Sequence, residues 1–137
     1  MIKTIFIAIL LSYGHLPVSG QVSLKIVVKN LESNAGSVIL DLRDGNNLHL
    51  KGLSGEISDH ACFIIVDSLK PGKYAFRYFH DENNNKEMDT YWIKVPKEGY
   101  GFSNNARARF GPPKFKKTIF ELKNDTTVFC TPRYIKL

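Results

Sequence analysis

The chain has 137 residues, of which 43% are hydrophobic, 12% aromatic and 23% charged, with a formal net charge of +6 and two cysteines. That balance excludes a disordered tail, a collagen or coiled-coil fibre and a disulfide-dense miniprotein, and the length suits one hydrophobic core, not two. The charge is uneven: residues 21–90 carry eight Lys or Arg against ten Asp or Glu, whereas residues 91–137 carry ten against three.

At the start of the chain Lys3 precedes the apolar run Ile5 to Leu11, and Val18-Ser19-Gly20 supplies small residues before Gln21. This order of positive, apolar and small residues predicts a removable export signal over residues 1–20, with residues 21–137 as a single domain. The apolar run is too short to anchor the protein in a bilayer, and no second candidate follows. The expectation is a periplasmic or secreted chain with no membrane span, for which nucleic acid is an unsuitable partner. The basic surplus then reads as a solvated surface facing the acidic loop described below.

Strand patterns dominate the rest of the chain. Leu24, Ile26 and Val28 alternate with Ser23, Lys25 and Val27, and Val38, Leu40 and Leu42 alternate with Ser37, Ile39 and Asp41. The turn-rich link Asn30 to Gly36 predicts that these two strands form a hairpin. Cys62 to Val66 is a nearly continuous apolar strand, and Tyr74, Phe76 and Tyr78 alternate with Ala75, Arg77 and Phe79 in a fourth. Between these last two, Leu69-Lys70-Pro71-Gly72 predicts a tight turn with positive φ at the glycine. A long irregular stretch from Asp81 to Pro113 comes next, and two strands close the chain, Lys117–Leu122 and Thr126–Ile135, the latter with Pro132 at an edge. No segment shows sustained helical spacing. The fold expected is all-β: an antiparallel immunoglobulin-like or transthyretin-like sandwich of about seven strands, with a long irregular loop region.

Cys62 and Cys130 both lie in apolar strands, neither in a metal or redox spacing. Two readings stand open, a disulfide formed after export and a pair of buried free thiols.

The chemistry concentrates after the fourth strand. Asp81-Glu82-Asn83-Asn84-Asn85-Lys86-Glu87-Met88-Asp89 sets side-chain oxygens at positions 1, 3, 5 and 9, the alternation that lets a tightly turning loop point oxygens at calcium. Asp81, Asn83, Asn85 and Asp89 are the candidate ligands. Lys86 stands where the sharp turn calls for glycine, and Trp92 where an EF-hand loop places its bidentate glutamate. A calcium site here therefore needs oxygens from outside the loop, and the alternative is a polar turn in which Asp and Asn bind local backbone. Further on, Gly99 and Gly101 permit close backbone approach, Tyr100 and Phe102 offer apolar anchors, and Ser103, Asn104 and Asn105 offer polar atoms to support the acidic loop.

His80 to Asn85, Asp89, Val95 to Asn105 and Phe110 to Phe115, together with Leu69-Lys70-Pro71-Gly72-Lys73-Tyr74-Ala75, resemble the exported bacterial proteins of domain-of-unknown-function family 2141. The resemblance implies a β-sandwich of the transthyretin-like or carboxypeptidase-regulatory kind and no particular activity. The family's acidic loop reads D-E-N-x-N-G-x-x-D, so Lys86 departs from it at the glycine.

Catalysis has little footing. Ser103 lacks the second glycine of a nucleophile elbow, and His49, His60 and His80 have no zinc-type spacing. His80 is expected to end its strand at the surface. The function expected is a non-catalytic binding or interaction module, with an envelope protein or a glycan as partner and calcium stabilising residues 81–89. The alternatives are a glycan- or peptide-binding surface without metal, and a hydrolase.

Overall fold

A computed structural model describes residues 20–137 of the chain, so the export-signal reading lies, but for Gly20, outside the described residues. The described residues form an all-β fold with eight strands among them: β1 (Val22–Val28), β2 (Ser37–Asp44), β3 (His49–Ser58), β4 (Ala61–Leu69), β5 (Gly72–Asp81), β6 (Tyr100–Phe102), β7 (Phe120–Leu122) and β8 (Thr126–Cys130). They run in the order β6-β5-β2-β3-β4-β1-β8, with β7 on β5 beside β6. No helix among the described residues is long and apolar enough to cross a membrane.

The predicted alternation sets the core. Leu24, Ile26, Val28, Val38, Leu40, Leu42, Phe76 and Tyr78 all point inward and are buried. Val27 is buried as well, because it lies on the outer face between Phe63 of β4 and Phe129 of β8 in register. This explains why β1 reads as almost uniformly apolar at its end.

The pairing differs from expectation in three ways. β1 and β2 do not form a hairpin: β1 pairs with β4 and β8, and β2 with β3 and β5. The link between them instead carries the chain across the core, and Gly36 at φ +73° lies against the Asp81 carbonyl, where a Cβ would collide. The sheet is also not wholly antiparallel, since β8 runs parallel to β1. Finally, the Leu69–Gly72 link joins strands in different layers, and the positive φ lies before it, on Ser68 of β4 at 61°, while Gly72 has none.

β3 has no counterpart among the predicted strands. It pairs with β2 over residues 49–56 and with β4 only at Ile57 and Ser58, so it turns from one layer into the other. Most of its residues are exposed, and at one inward position it carries Gly55, where a Cβ would overlap Cys62 Sγ and Ile64. On the opposite side, Arg133 and Tyr100 exchange two backbone hydrogen bonds of 2.7 and 3.0 Å. With these two corners the sheet is nearly closed, like a barrel. The last two strands are shorter than expected: a 3-10 turn, Phe115–Lys117, precedes β7, and β8 ends at Cys130, before Pro132.

Cys62 and Cys130 are free and buried. Both are in register with Val28, one on each side of β1. Two strand spacings put their Cα atoms on the order of 10 Å apart, beyond disulfide reach. Burial pushes both thiols up, each to about 11.

The corner at Gly55 gives a paired test. Gly55→Val is expected to destabilise the fold by about 1–3 kcal/mol through overpacking. Gly52→Val, at a position where an added Cβ would meet nothing within 4 Å, is expected to be neutral or stabilising. Urea unfolding of the two variants checks the difference.

Candidate functional site

β5 carries the site because its two faces do different work. Tyr74, Phe76 and Tyr78 fill the core, and Arg77 and Phe79 face outward beside Ile39 and Asp41 of β2 and Tyr100 and Phe102 of β6. At its end the strand runs directly into the acidic loop.

Asp81 is fully buried. Its carboxylate accepts the backbone N–H groups of Asn85 at 3.2 Å and Lys86 at 2.9 Å, so it closes the turn from beneath. Lys86 has φ 62° and holds the left-handed conformation that the missing glycine would have supplied. Asn83 donates from Nδ2 to Asp89 at 2.7 Å, and Asn85 donates to the same carboxylate at 2.9 and 3.2 Å. The four expected ligand residues thus lie in one turn, with the carboxylates of Asp81 and Asp89 satisfied by N–H donors. Among the described residues no group of three His, Cys, Asp or Glu is placed to hold a metal ion.

The residue that completes the loop is one that sequence reasoning misses. Glu98 is buried and bridges the turn, accepting the N–H of Glu82 at 3.1 Å and of Asp89 at 3.2 Å. Burial raises its pKa, and the charges of Asp89 and Asp81 raise it further, against the lowering effect of the two backbone bonds. Its one local signal is its place beside Gly99.

Ser103, Asn104 and Asn105 do not serve the acidic loop. Ser103 is buried, accepts the Phe76 N–H at 3.0 Å and donates to the Thr118 carbonyl. Asn104 donates to the Ile119 carbonyl at 2.9 Å, and Asn105 accepts the Thr131 N–H at 3.0 Å. Ser103 ties β5 to Thr118, Asn104 and Asn105 tie the turn after β6 to Ile119 and Thr131, and the Ser103 hydroxyl has no exposure to act as a nucleophile. His80 corrects a second expectation: it is fully buried, with Nε2 donating to the Ala35 carbonyl at 2.7 Å and Nδ1 meeting the Tyr134 hydroxyl at 2.8 Å. Burial pushes the Tyr134 hydroxyl up to about 12.

Tyr100 and Phe102 pack edge to face, centroids 6.3 Å apart, on the outer sheet surface. With Ile39, Phe79, Met88, Val95, Pro96 and Pro112 they line a groove of about 550 Å³. The segment 89–97 forms its outer wall, folded back by hydrogen bonds from Tyr91 N–H to the Val95 carbonyl and from Lys97 N–H to the Asp89 carbonyl, 2.7 and 2.8 Å. Trp92, 93% exposed, stands at the tip of that wall.

At one end of the groove lies Asp41. Arg43 Nε at 2.8 Å, Arg77 Nε at 2.9 Å and His49 Nδ1 at 2.6 Å all reach its carboxylate. Partial burial acts to raise the Asp41 pKa, but the bonds from His49, Arg43 and Arg77 outweigh it and hold the carboxyl below its ordinary value. A carboxylate held by three donors is a structural anchor for the cations around it, not a free base.

An all-β domain, nearly closed on itself, with a polar locked loop beside an aromatic groove, is the class that fold and site define. The chain belongs to the family described as "Uncharacterized protein conserved in bacteria (DUF2141)", whose model matches residues 26–129. Comparisons with curated proteins and with solved structures return no match.

The loop geometry sets two expectations for stability. Lys86→Gly removes the left-handed strain of a side-chain-bearing residue, about 1–2 kcal/mol, and adds part of that back as unfolded-chain entropy. A net gain of about 0.5–1 kcal/mol in urea unfolding is expected, and a loss contradicts the assignment. Because the Glu98 pKa is raised on folding, the stability linked to it is fully present below pH 4.5 and is lost as pH rises through the elevated value. Glu98→Gln cannot titrate, so its stability profile should lack that decline.

Proposed function

We propose that the chain is an exported, non-catalytic binding module, periplasmic or secreted, that takes its ligand in the groove on the outer face of β2, β5 and β6. The observation that carries this reading is the groove of about 550 Å³ lined by Phe79, Tyr100 and Phe102. That volume falls in the range of small-ligand sites. A domain this small has few large apolar side chains available for its core, and several are placed here on the outside. In finer terms, the two layers joined at β3 support a sandwich of the immunoglobulin-like or transthyretin-like kind with a parallel closing strand.

Calcium belongs to the same reading as a stabiliser of the groove's wall. Asp81, Asn83, Asn85 and Asp89 share one turn, and Lys86 already adopts the glycine conformation. The ion would take the place of the Asn amide donors on Asp89. An affinity in the weak extracellular range, roughly 10⁻⁴ to 10⁻³ M, is expected.

Calorimetric titration of the purified chain with calcium, repeated on Asp81→Ala and Asp89→Ala, tests this part. The heat should vanish in both variants. Its persistence in both places the ion elsewhere, and its absence from the unmutated chain leaves the loop a hydrogen-bonded turn. Heteronuclear NMR titration with soluble envelope oligosaccharides and short peptides tests the groove: shifts should centre on Phe79, Tyr100 and Phe102 and weaken at least tenfold in Phe102→Ala.

A further inference from the structure

We infer that the groove's ligand is an amphipathic carboxylate, with an acyl or aryl body and a single anionic head. This rests on the reading of the groove as the binding site and narrows its occupant.

The body is specified by the walls. Ile39, Phe79, Tyr100, Phe102, Met88 and Pro96 present aliphatic and aromatic surface, with few polar atoms to meet the hydroxyls of a sugar. Burying hydroxyls without partners is costly, whereas an apolar chain or ring of similar size loses nothing on entry.

The head is specified by charge. The groove's charged lining residues are Asp41, Arg77 and Lys94. Asp41 is already shared between Arg43 and Arg77, with His49 on its other oxygen, so two guanidinium groups face one carboxylate and the surplus is positive. Arg77 reaches Asp41 through Nε, and among the described residues that is its side chain's one hydrogen bond. Its two terminal nitrogens are left to meet a ligand in a groove where the side chain is 59% exposed. A guanidinium edge matches a carboxylate in a bidentate geometry, and Asp41 holds this one in place in advance. Lys94 adds a second positive charge on the outer wall. A cationic ligand meets the wrong sign, and a neutral acceptor leaves the surplus positive charge of Arg77 and Lys94 uncompensated.

The test compares decanoate with decanol, which share a body and differ in the head. Each is titrated into the purified chain and followed by NMR, with displacement of 8-anilinonaphthalene-1-sulfonate as a second readout. Decanoate should bind one to one at least tenfold more tightly than decanol, with shifts centred on Phe79, Tyr100 and Phe102. Its affinity alone should fall with added salt. Arg77→Met should bring the decanoate affinity down to that of decanol measured on the same variant. Lys94→Met, on the exposed wall, should weaken decanoate a few-fold and serves where the first variant folds poorly. Equal binding of the two probes overturns the inference. So does binding centred on Phe63, Ile65 and Phe129, the exposed apolar residues of the other layer. If oligosaccharides or peptides fill the groove and decanoate does not, the carboxylate is wrong and the binding module stands; if no probe of any kind enters the groove, both fall.

Discussion

Two buried carboxylates hold the architecture of the site. Asp81 and Glu98 sit at the inner side of the acidic loop and between them accept four backbone N–H groups, from Glu82, Asn85, Lys86 and Asp89. A carboxylate removed from water is expensive unless such donors surround it, and backbone N–H groups in a loop are expensive unless acceptors meet them. Each requirement satisfies the other here. The result is that a segment without regular structure has a defined path, and that path places Met88, Val95 and Pro96 over the outer face of β5 as the wall of a groove.

β5 transmits this order to the rest of the fold. Its inward side chains build the core, its outward ones build the groove floor, and its last two residues, His80 and Asp81, are both fully buried. His80 joins three separate stretches, the β1–β2 link at Ala35, the strand itself and the C-terminal Tyr134. Tyr134 in turn accepts the Glu32 N–H at 3.0 Å and lies against Gly99, where no side chain would fit. The near closure of the sheet at Arg133 and Tyr100 follows from the same convergence, because the two backbones are brought together by what packs around β5.

How much of this the sequence disclosed depends on how local each signal is. The alternation in β1, β2 and β5 is a property of a few consecutive residues, and the core positions read from it are buried. β3 lacks it, since most of its residues are exposed and one inward position is glycine. The expected hairpin failed for a related reason: sequential strands often pair, but nothing in Asn30 to Gly36 states that this link crosses between layers. The acidic loop was legible because its residues are neighbours in the chain. Glu98, which completes it, lies nine residues beyond Asp89 without any repeat to mark it, and Ser103 to Asn105, still further along, serve other partners.

The loop is a fixed wall, locked by Asp81 and Glu98, and not a mobile flap. Native-state hydrogen exchange at the amides of Glu82, Asn85, Lys86 and Asp89 measures this directly. Slow exchange that follows the amides of β5 when the fold is destabilised with urea is expected. Exchange at the rate of an unstructured peptide at these four positions, with β5 still protected, would contradict it.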